Sequence, residues 1–117
     1  MEAPDVARLP WAEVWRAPFP RIPDRAPAQD RLGAGENEVI DLGRGAPADR
    51  VLILDDLQAR SAARALGLQI VGTVALIVRM RERNLIEDVG LALDRLEGSG
   101  FRISTRVRDW ALSRSTP

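Results

Sequence analysis

The stretch that most constrains the fold is Val51-Leu52-Ile53-Leu54-Asp55-Asp56, a short apolar run that ends in two adjacent carboxylates. Uninterrupted runs of Val, Ile and Leu are typical of strands that are buried on both faces of a parallel sheet. The run therefore predicts a strand over 51–54 with concentrated negative charge at its carboxyl end. Open α/β sheets bind their ligands at that end, so metal-dependent chemistry is the first hypothesis.

A helix and a second strand are predicted directly after this run. Residues 57–66 place small alanines on one face, and Gly67 follows in the position where a left-handed residue ends a helix. Residues 68–71 form the second apolar run. A strand, helix and strand of this size normally make a right-handed parallel crossover, which predicts an α/β fold with a short parallel sheet.

Further helices are predicted on both sides of this unit. The first opens over 35–40 and is ended by glycines and a proline, and later helices cover 74–83 and 87–97. A last helix begins at Ser104 or Thr105, both of which are good capping residues. Its predicted inner face consists of three residues, Val107, Trp110 and Ala111.

The chain is predicted to contain one folded domain, preceded by a segment of different composition. Residues 1–31 are expected to be a loop-rich lead-in, because six of the eight prolines fall there. Within it, residues 11–15 alternate apolar and polar side chains and predict a short edge strand. The α/β domain is assigned to 32–113 and a flexible tail to 114–117.

Composition narrows the chemistry that the chain can perform. The sequence has no cysteine and no histidine, which excludes disulfides and thiolate metal sites and removes the commonest general base. Carboxylates remain as the candidate metal ligands. The 17 basic residues balance 17 acidic ones, so any contact with a nucleic acid needs a local patch. No apolar run reaches the length of a membrane span, and the start lacks a secretory pattern, so the cytoplasm is expected.

Glu36, Asp55 and Asp56 are the candidate catalytic and metal-binding residues. Mg²⁺ and Mn²⁺ prefer oxygen ligands, and such an ion activates water and stabilises charge on phosphate oxygens. Glu36 and one of the two adjacent Asp residues also have a structural explanation, whereas the second Asp is not needed for capping. An Asp at a helix N-cap stabilises by about 1 kcal/mol, and Glu36 suits the dipole of the helix that it opens.

Arg60, Arg64 and Arg79 are candidate nucleic-acid contacts, because they would place guanidinium groups on neighbouring helices. The alternative is an ordinary solvated face. Glu82 and Glu87 lie near enough in the sequence to neutralise part of that charge.

Several motifs occur together in an order that is known from a protein family. They are Gly35-Glu36-Asn37-Glu38-Val39-Ile40, then Val51 to Asp56 with Ala59-Arg60, then Ala62-Ala63-Arg64-Ala65-Leu66-Gly67, Gly72-Thr73 and Asn84-Leu85-Ile86. Over residues 32–112 the chain resembles the PIN-domain-like proteins. More narrowly, it resembles the uncharacterised branch described as predicted nucleic-acid-binding proteins with a PIN domain, often the toxin-like partner of a toxin-antitoxin pair.

The resemblance implies a three-layer α/β/α fold with a parallel sheet and an acidic cluster that binds Mg²⁺ or Mn²⁺ and cleaves RNA. Glu36, Asp55 and Asp56 match acidic positions of the family, with Asp56 the better match of the doublet, and Arg60 matches a basic position. The family's first strand, which carries the first metal-binding Asp, has no counterpart here. The chain is therefore expected to be N-terminally truncated relative to the family, with an incomplete acidic site.

Two functions are consistent with these observations. The first is a protein related to the metal-dependent ribonuclease toxins, with Mg²⁺ or Mn²⁺ as cofactor and with RNA, an antitoxin or a second copy as partner. The alternative is a non-catalytic interaction module, in which a second chain covers the sheet edge that the missing strand exposes.

Overall fold

The computed structural model describes residue 10 and residues 25–47 and 49–115. The predicted edge strand over 11–15 lies outside the described residues. The described residues form, after a 3₁₀ turn at Pro27–Gln29, five helices and two strands: α1 (Ala34–Gly45), β1 (Val51–Ile53), α2 (Leu57–Ala65), β2 (Gln69–Val71), α3 (Thr73–Glu82), α4 (Val89–Gly98) and α5 (Thr105–Ser115).

The two strands form a parallel pair joined by α2, which confirms the predicted α/β fold. Val51 lies opposite Gln69, and Ile53 lies opposite Val71. Beyond the last paired residue, the backbone N–H of Leu54 donates to the carbonyl of Val71 at 3.0 Å. The chain therefore leaves both strands at the same edge of the sheet, where Asp55 and Gly72 follow.

Helices α1 and α2 cover one face of the sheet. Leu52 points towards them and packs in a cluster with Ile40 and the buried alanines of α2. Val51 and Ile53 point the other way and are 45% and 50% exposed. The prediction that β1 is buried on both faces is therefore wrong for the described residues, because α3, α4 and α5 pack on one another instead.

Gly43 allows α1 to approach the sheet closely. A Cβ atom on this residue would lie 2.7 Å from Cδ1 of Leu52 and 2.8 Å from its Cδ2. The glycines were predicted to end the helix, but α1 continues through Gly43 to Gly45. Gly43 is thus a packing residue, and the leucine fills the space that its missing side chain leaves.

The remaining helices form a second hydrophobic cluster. Val74 and Val78 of α3 pack with Val89 and Leu93 of α4 and with Ala111 of α5. Of the predicted inner face of α5, only Ala111 is buried, whereas Val107 is 39% and Trp110 44% exposed. The short alanine side chain lets α5 approach its neighbours, which leaves the larger side chains at the margins of the contact.

Apart from the end of α1, the helix boundaries confirm the local signals to within two residues. Gly67 and Asn84 have φ values of 75° and 59°, as predicted for left-handed helix stops. Helix α3 begins at Thr73 rather than after it, with Gly72 in the N-cap position. In the part of the chain that the structure describes, no helix combines the length and the apolar character needed to cross a bilayer.

Candidate functional site

Asp55 binds the start of a helix that is distant in sequence. Its Oδ1 accepts the backbone N–H of Thr73 at 2.8 Å, and its Oδ2 accepts the Thr73 hydroxyl at 2.6 Å. Thr73 is the first residue of α3. The carboxylate thus satisfies one of the N–H groups that a helix leaves without an internal partner, and it does so from the end of β1.

Asp56 caps the helix that it precedes. Its Oδ2 accepts the backbone N–H of Ala59 at 3.0 Å, which is the usual N-cap arrangement. The two adjacent carboxylates therefore serve two different helices, Asp55 at α3 and Asp56 at α2. The sequence suggested that only one of them was needed for capping, and the structure gives both a capping role.

Glu36 is engaged in the same way at the start of α1. Its Oε2 accepts the backbone N–H of Gly33 at 2.9 Å, as the third residue of a capping box does. Its position in the first turn also complements the helix dipole. This is the structural role that the sequence offered as the alternative to metal binding.

These three carboxylates do not form a metal site as the structure places them. Each accepts a hydrogen bond at the start of a different helix, and the described residues include no group of three or more acidic side chains that could hold a metal ion. Mg²⁺ and Mn²⁺ need several oxygen ligands arranged around one point. The described side chains therefore show no three-carboxylate group for the ion that the resemblance implies, and metal binding by this protein stays a prediction.

Arg60 lies at the carboxyl edge of the sheet beside Asp55 and Gly72. The position that a Cβ atom on Gly72 would occupy is 3.4 Å from Nη1 of Arg60 and 3.4 Å from Oδ1 of Asp55. Both charged groups therefore lie beside Gly72, where a side chain would contact them. Nε of Arg60 is buried and has no hydrogen-bond partner among the described residues.

Arg64 and Arg79 are exposed on the last turns of α2 and α3. A positive charge in the last turn of a helix is stabilised by the helix dipole, so both have a structural explanation. Glu82, which was expected to neutralise nearby arginines, lies 3.7 Å from Arg114 of α5. Its nearest described ion pair is thus with another helix.

A buried polar network was not predicted from the sequence. The carboxylate of Asp41 is 1% exposed, and one of its oxygens accepts hydrogen bonds from Nε and Nη2 of Arg25 at 3.0 and 2.9 Å. Its other oxygen accepts Nε2 of Gln29 at 2.9 Å, and Nδ2 of Asn37 donates to the Gln29 carbonyl at 3.0 Å. The available signal was the four-residue spacing of Asn37 and Asp41 beside Ile40 on a helix with an apolar face.

The network attaches the segment before α1 to α1 itself. Gln29 and Asp41 are among the least exposed residues of the chain, at 0% and 2%. Arg44 also donates to the Gln29 side-chain oxygen, at 3.2 Å. Each buried amide or carboxylate here has a partner, as buried polar groups require.

Comparison with known proteins places this arrangement in a family. A family model described as a PIN domain matches residues 2–116, which is nearly the whole chain. No curated protein and no solved structure matches it. The match confirms the resemblance that the ordered motifs indicated and the parallel α/β fold that they implied, and the chain therefore belongs to the PIN-domain family.

Proposed function

We propose that this PIN-domain protein binds single-stranded RNA in the cytoplasm at the carboxyl edge of its sheet, and that it is related to the ribonuclease toxins of toxin-antitoxin systems. The observation that carries the proposal is the environment of Arg60. Its guanidinium lies where both strands end, and its buried Nε has no hydrogen-bond partner among the described residues.

Burial of the Arg60 Nε without a partner among the described residues is unfavourable, because this N–H has lost hydration without gaining a protein acceptor. A phosphate group supplies two oxygens that match the planar fork of arginine. Because the formal charge of the chain is zero, attraction to RNA has to come from a local group of this kind.

The negative charge of Asp55, which lies beside Arg60, is compatible with phosphate binding at Arg60. Both oxygens of Asp55 accept hydrogen bonds from Thr73, one of them from the backbone at the start of α3. The positive end of the helix dipole offsets part of the negative charge at this point. Arg64, on the turn after Arg60, adds a second positive charge on the same side of α2.

The proposal is tested by measuring the affinity for a fluorescent single-stranded RNA over a range of salt concentrations. We expect Arg60→Gln to weaken binding about tenfold and to reduce the slope of log K against log [salt] by about 0.7, the value for one phosphate contact to a single strand. Arg106→Gln is the matched control, since it removes the same charge from an exposed position on α5. No binding by the unaltered protein, or equal losses in both variants, would contradict the proposal.

Membership of the PIN-domain family also suggests hydrolysis of RNA with Mg²⁺ or Mn²⁺. This activity is measured in the same samples. We propose that Glu36 and Asp56 act as helix caps, so Glu36→Gln and Asp56→Asn, which keep an acceptor oxygen, are expected to leave metal-dependent cleavage at the level of the unaltered protein. If both variants abolish cleavage while RNA binding remains, the capping role is insufficient and the predicted metal site of Glu36, Asp55 and Asp56 is favoured.

A second candidate function is a module that pairs with another chain, either a second copy or an antitoxin-like peptide. It is favoured by the open face of β1, where Val51 and Ile53 are about half exposed, with Leu57 67% exposed just after the strand. Light scattering at micromolar concentration tests pairing between copies. A dimer that Ile53→Ser dissociates would support this candidate, and a monomer would count against it.

A further inference from the structure

An open groove of about 410 Å³ runs along the start of α2. One wall is the segment before α1, which the buried Gln29 fixes in place, and the other is the first two turns of α2. The lining residues are Ala28, Arg31, Leu32, Leu57, Gln58, Ser61 and Ala62.

The groove combines an apolar surface with a polar and positively charged rim. Leu32, Leu57 and Ala62 provide the apolar surface. Gln58 and Ser61 are exposed and carry hydrogen-bonding groups, and Arg31 is the only charged residue among the described residues of the lining. The described lining therefore has positive charge and no carboxylate, which complements a ligand that is flat, partly apolar and attached to an anion.

We propose that this groove receives a nucleobase of the bound RNA, with Arg31 contacting the adjoining phosphate. The inference rests on the proposed function, because it extends the RNA path from Arg60 across α2. A base has a broad apolar face and polar edges, which suit the leucines and the amide and hydroxyl groups respectively. Positive charge on the rim attracts the backbone that connects one base to the next.

The geometry of α2 makes this path continuous. Leu57 lies three residues before Arg60 and four before Ser61, so it is a neighbour of both on the helix surface. Leu57 is 67% exposed and Ser61 is exposed as well. An RNA strand that leaves Arg60 thus meets an exposed leucine and then the groove, without a buried side chain having to move.

The experiment compares an oligouridylate with an abasic ribose-phosphate oligomer of the same length, which has the same charge but no bases. We expect the unaltered protein to bind the base-bearing oligomer about tenfold more tightly, which corresponds to about 1.4 kcal/mol. Leu57→Ser is expected to abolish this preference. Leu85→Ser is the matched control, because Leu85 is a leucine of almost equal exposure, 68%, in the segment after α3.

The role of Arg31 is tested with the abasic oligomer. Arg31→Gln is expected to weaken its binding severalfold, whereas Arg102→Gln, at an exposed position between α4 and α5, is expected to leave it unchanged. Equal effects of these two variants would show that Arg31 acts only through the overall electrostatic field of the protein and not by contacting the phosphate.

The outcomes separate this inference from the function on which it rests. If Leu57→Ser keeps the full preference for bases while Arg60→Gln still weakens binding, the groove is overturned and the RNA site at the sheet edge stands. If the unaltered protein binds neither oligomer, the proposed function itself fails. If Leu57→Ser changes only the association of the chain with itself, the groove is a protein contact and the inference is wrong.

Discussion

The two halves of the described chain are stabilised in different ways. The buried residues of the half built from α3, α4 and α5 are all apolar. The half built from α1, β1, α2 and β2 has a comparable apolar cluster, and it also contains the three described residues that are buried and polar, Gln29, Asn37 and Asp41.

Polar contacts in the second half lie on its surface. Arg108 of α5 forms ion pairs with Glu97 and with Asp94 of α4, and the hydrogen bond that it donates to Glu97 raises the pKa of Arg108 above its ordinary value. Such exposed pairs contribute little to stability. The comparison indicates that the second half is a packing unit, whereas the first half fixes the positions of charged groups and carries the candidate site.

The largest expected effects come from the two apolar clusters and should be equal. Ile40 and Leu93 are both fully buried, one in each half. Ile40→Ala and Leu93→Ala are each expected to lower the free energy of unfolding by about 3 kcal/mol, measured by urea denaturation. A much smaller loss for either variant would show that its half is loosely packed, and would contradict the statement that the two apolar clusters are comparable.

The next effect should distinguish the halves. Asp41→Ala removes an acceptor from the fully buried Gln29 and is expected to lower the free energy of unfolding by about 2 kcal/mol. Asp94→Ala is the matched control, because the Asp94 side chain is 67% exposed, and no measurable change is expected. Equal losses from the two variants would mean that the buried network does not distinguish the first half.

A smaller effect is expected at the junction of the halves. Asp55→Ala and Asp56→Ala each remove a carboxylate from a helix start and should lower the free energy of unfolding by about 1 kcal/mol. The corresponding Asn variants keep an acceptor and should lose less. A rise in stability in any of the four variants would indicate that repulsion within the doublet outweighs capping.

The smallest effect tests whether Asp55 acts through Thr73. Thr73→Val removes the hydroxyl donor but keeps the backbone N–H, and a loss of about 0.5 kcal/mol is expected for this exposed contact. Combined with Asp55→Ala, its effect should vanish, because the acceptor is already gone. Additive losses in the double-mutant cycle would place the effect of Thr73 elsewhere.

Helix ends and the parallel pairing of the two strands could be predicted from the sequence, whereas contacts between individual side chains that are distant in the sequence could not. Gly67 and Asn84 were identified as left-handed stops because a helix end depends on local backbone geometry. The hydrogen bond from the backbone N–H of Thr73 to Asp55 joins residues 18 positions apart. Nothing in the sequence distinguishes a carboxylate that accepts such a bond from one that has no partner. The exposure of Trp110 depends on which helices α5 meets, and periodicity alone does not supply that information.

The candidate site shows the same division. Arg60 was predicted as a nucleic-acid contact because arginines recur on neighbouring helices, but the burial of its Nε and its closeness to Gly72 required coordinates. Glu36, Asp55 and Asp56 were expected to meet around one ion. Their oxygens instead accept hydrogen bonds at three helix starts. The composition of the chain and the order of its motifs do not determine which of these two arrangements forms.

The central claim is that RNA contacts the first half at the carboxyl edge of the sheet. The most direct measurement is a titration of the ¹⁵N-labelled protein with a short single-stranded RNA, followed through the backbone amide resonances. We expect the largest shifts at Arg60, Gly72, Thr73 and the first turns of α2, while the amides of α4 and α5 stay unchanged. Shifts concentrated on α4 and α5, or no shifts at saturating RNA, would contradict it.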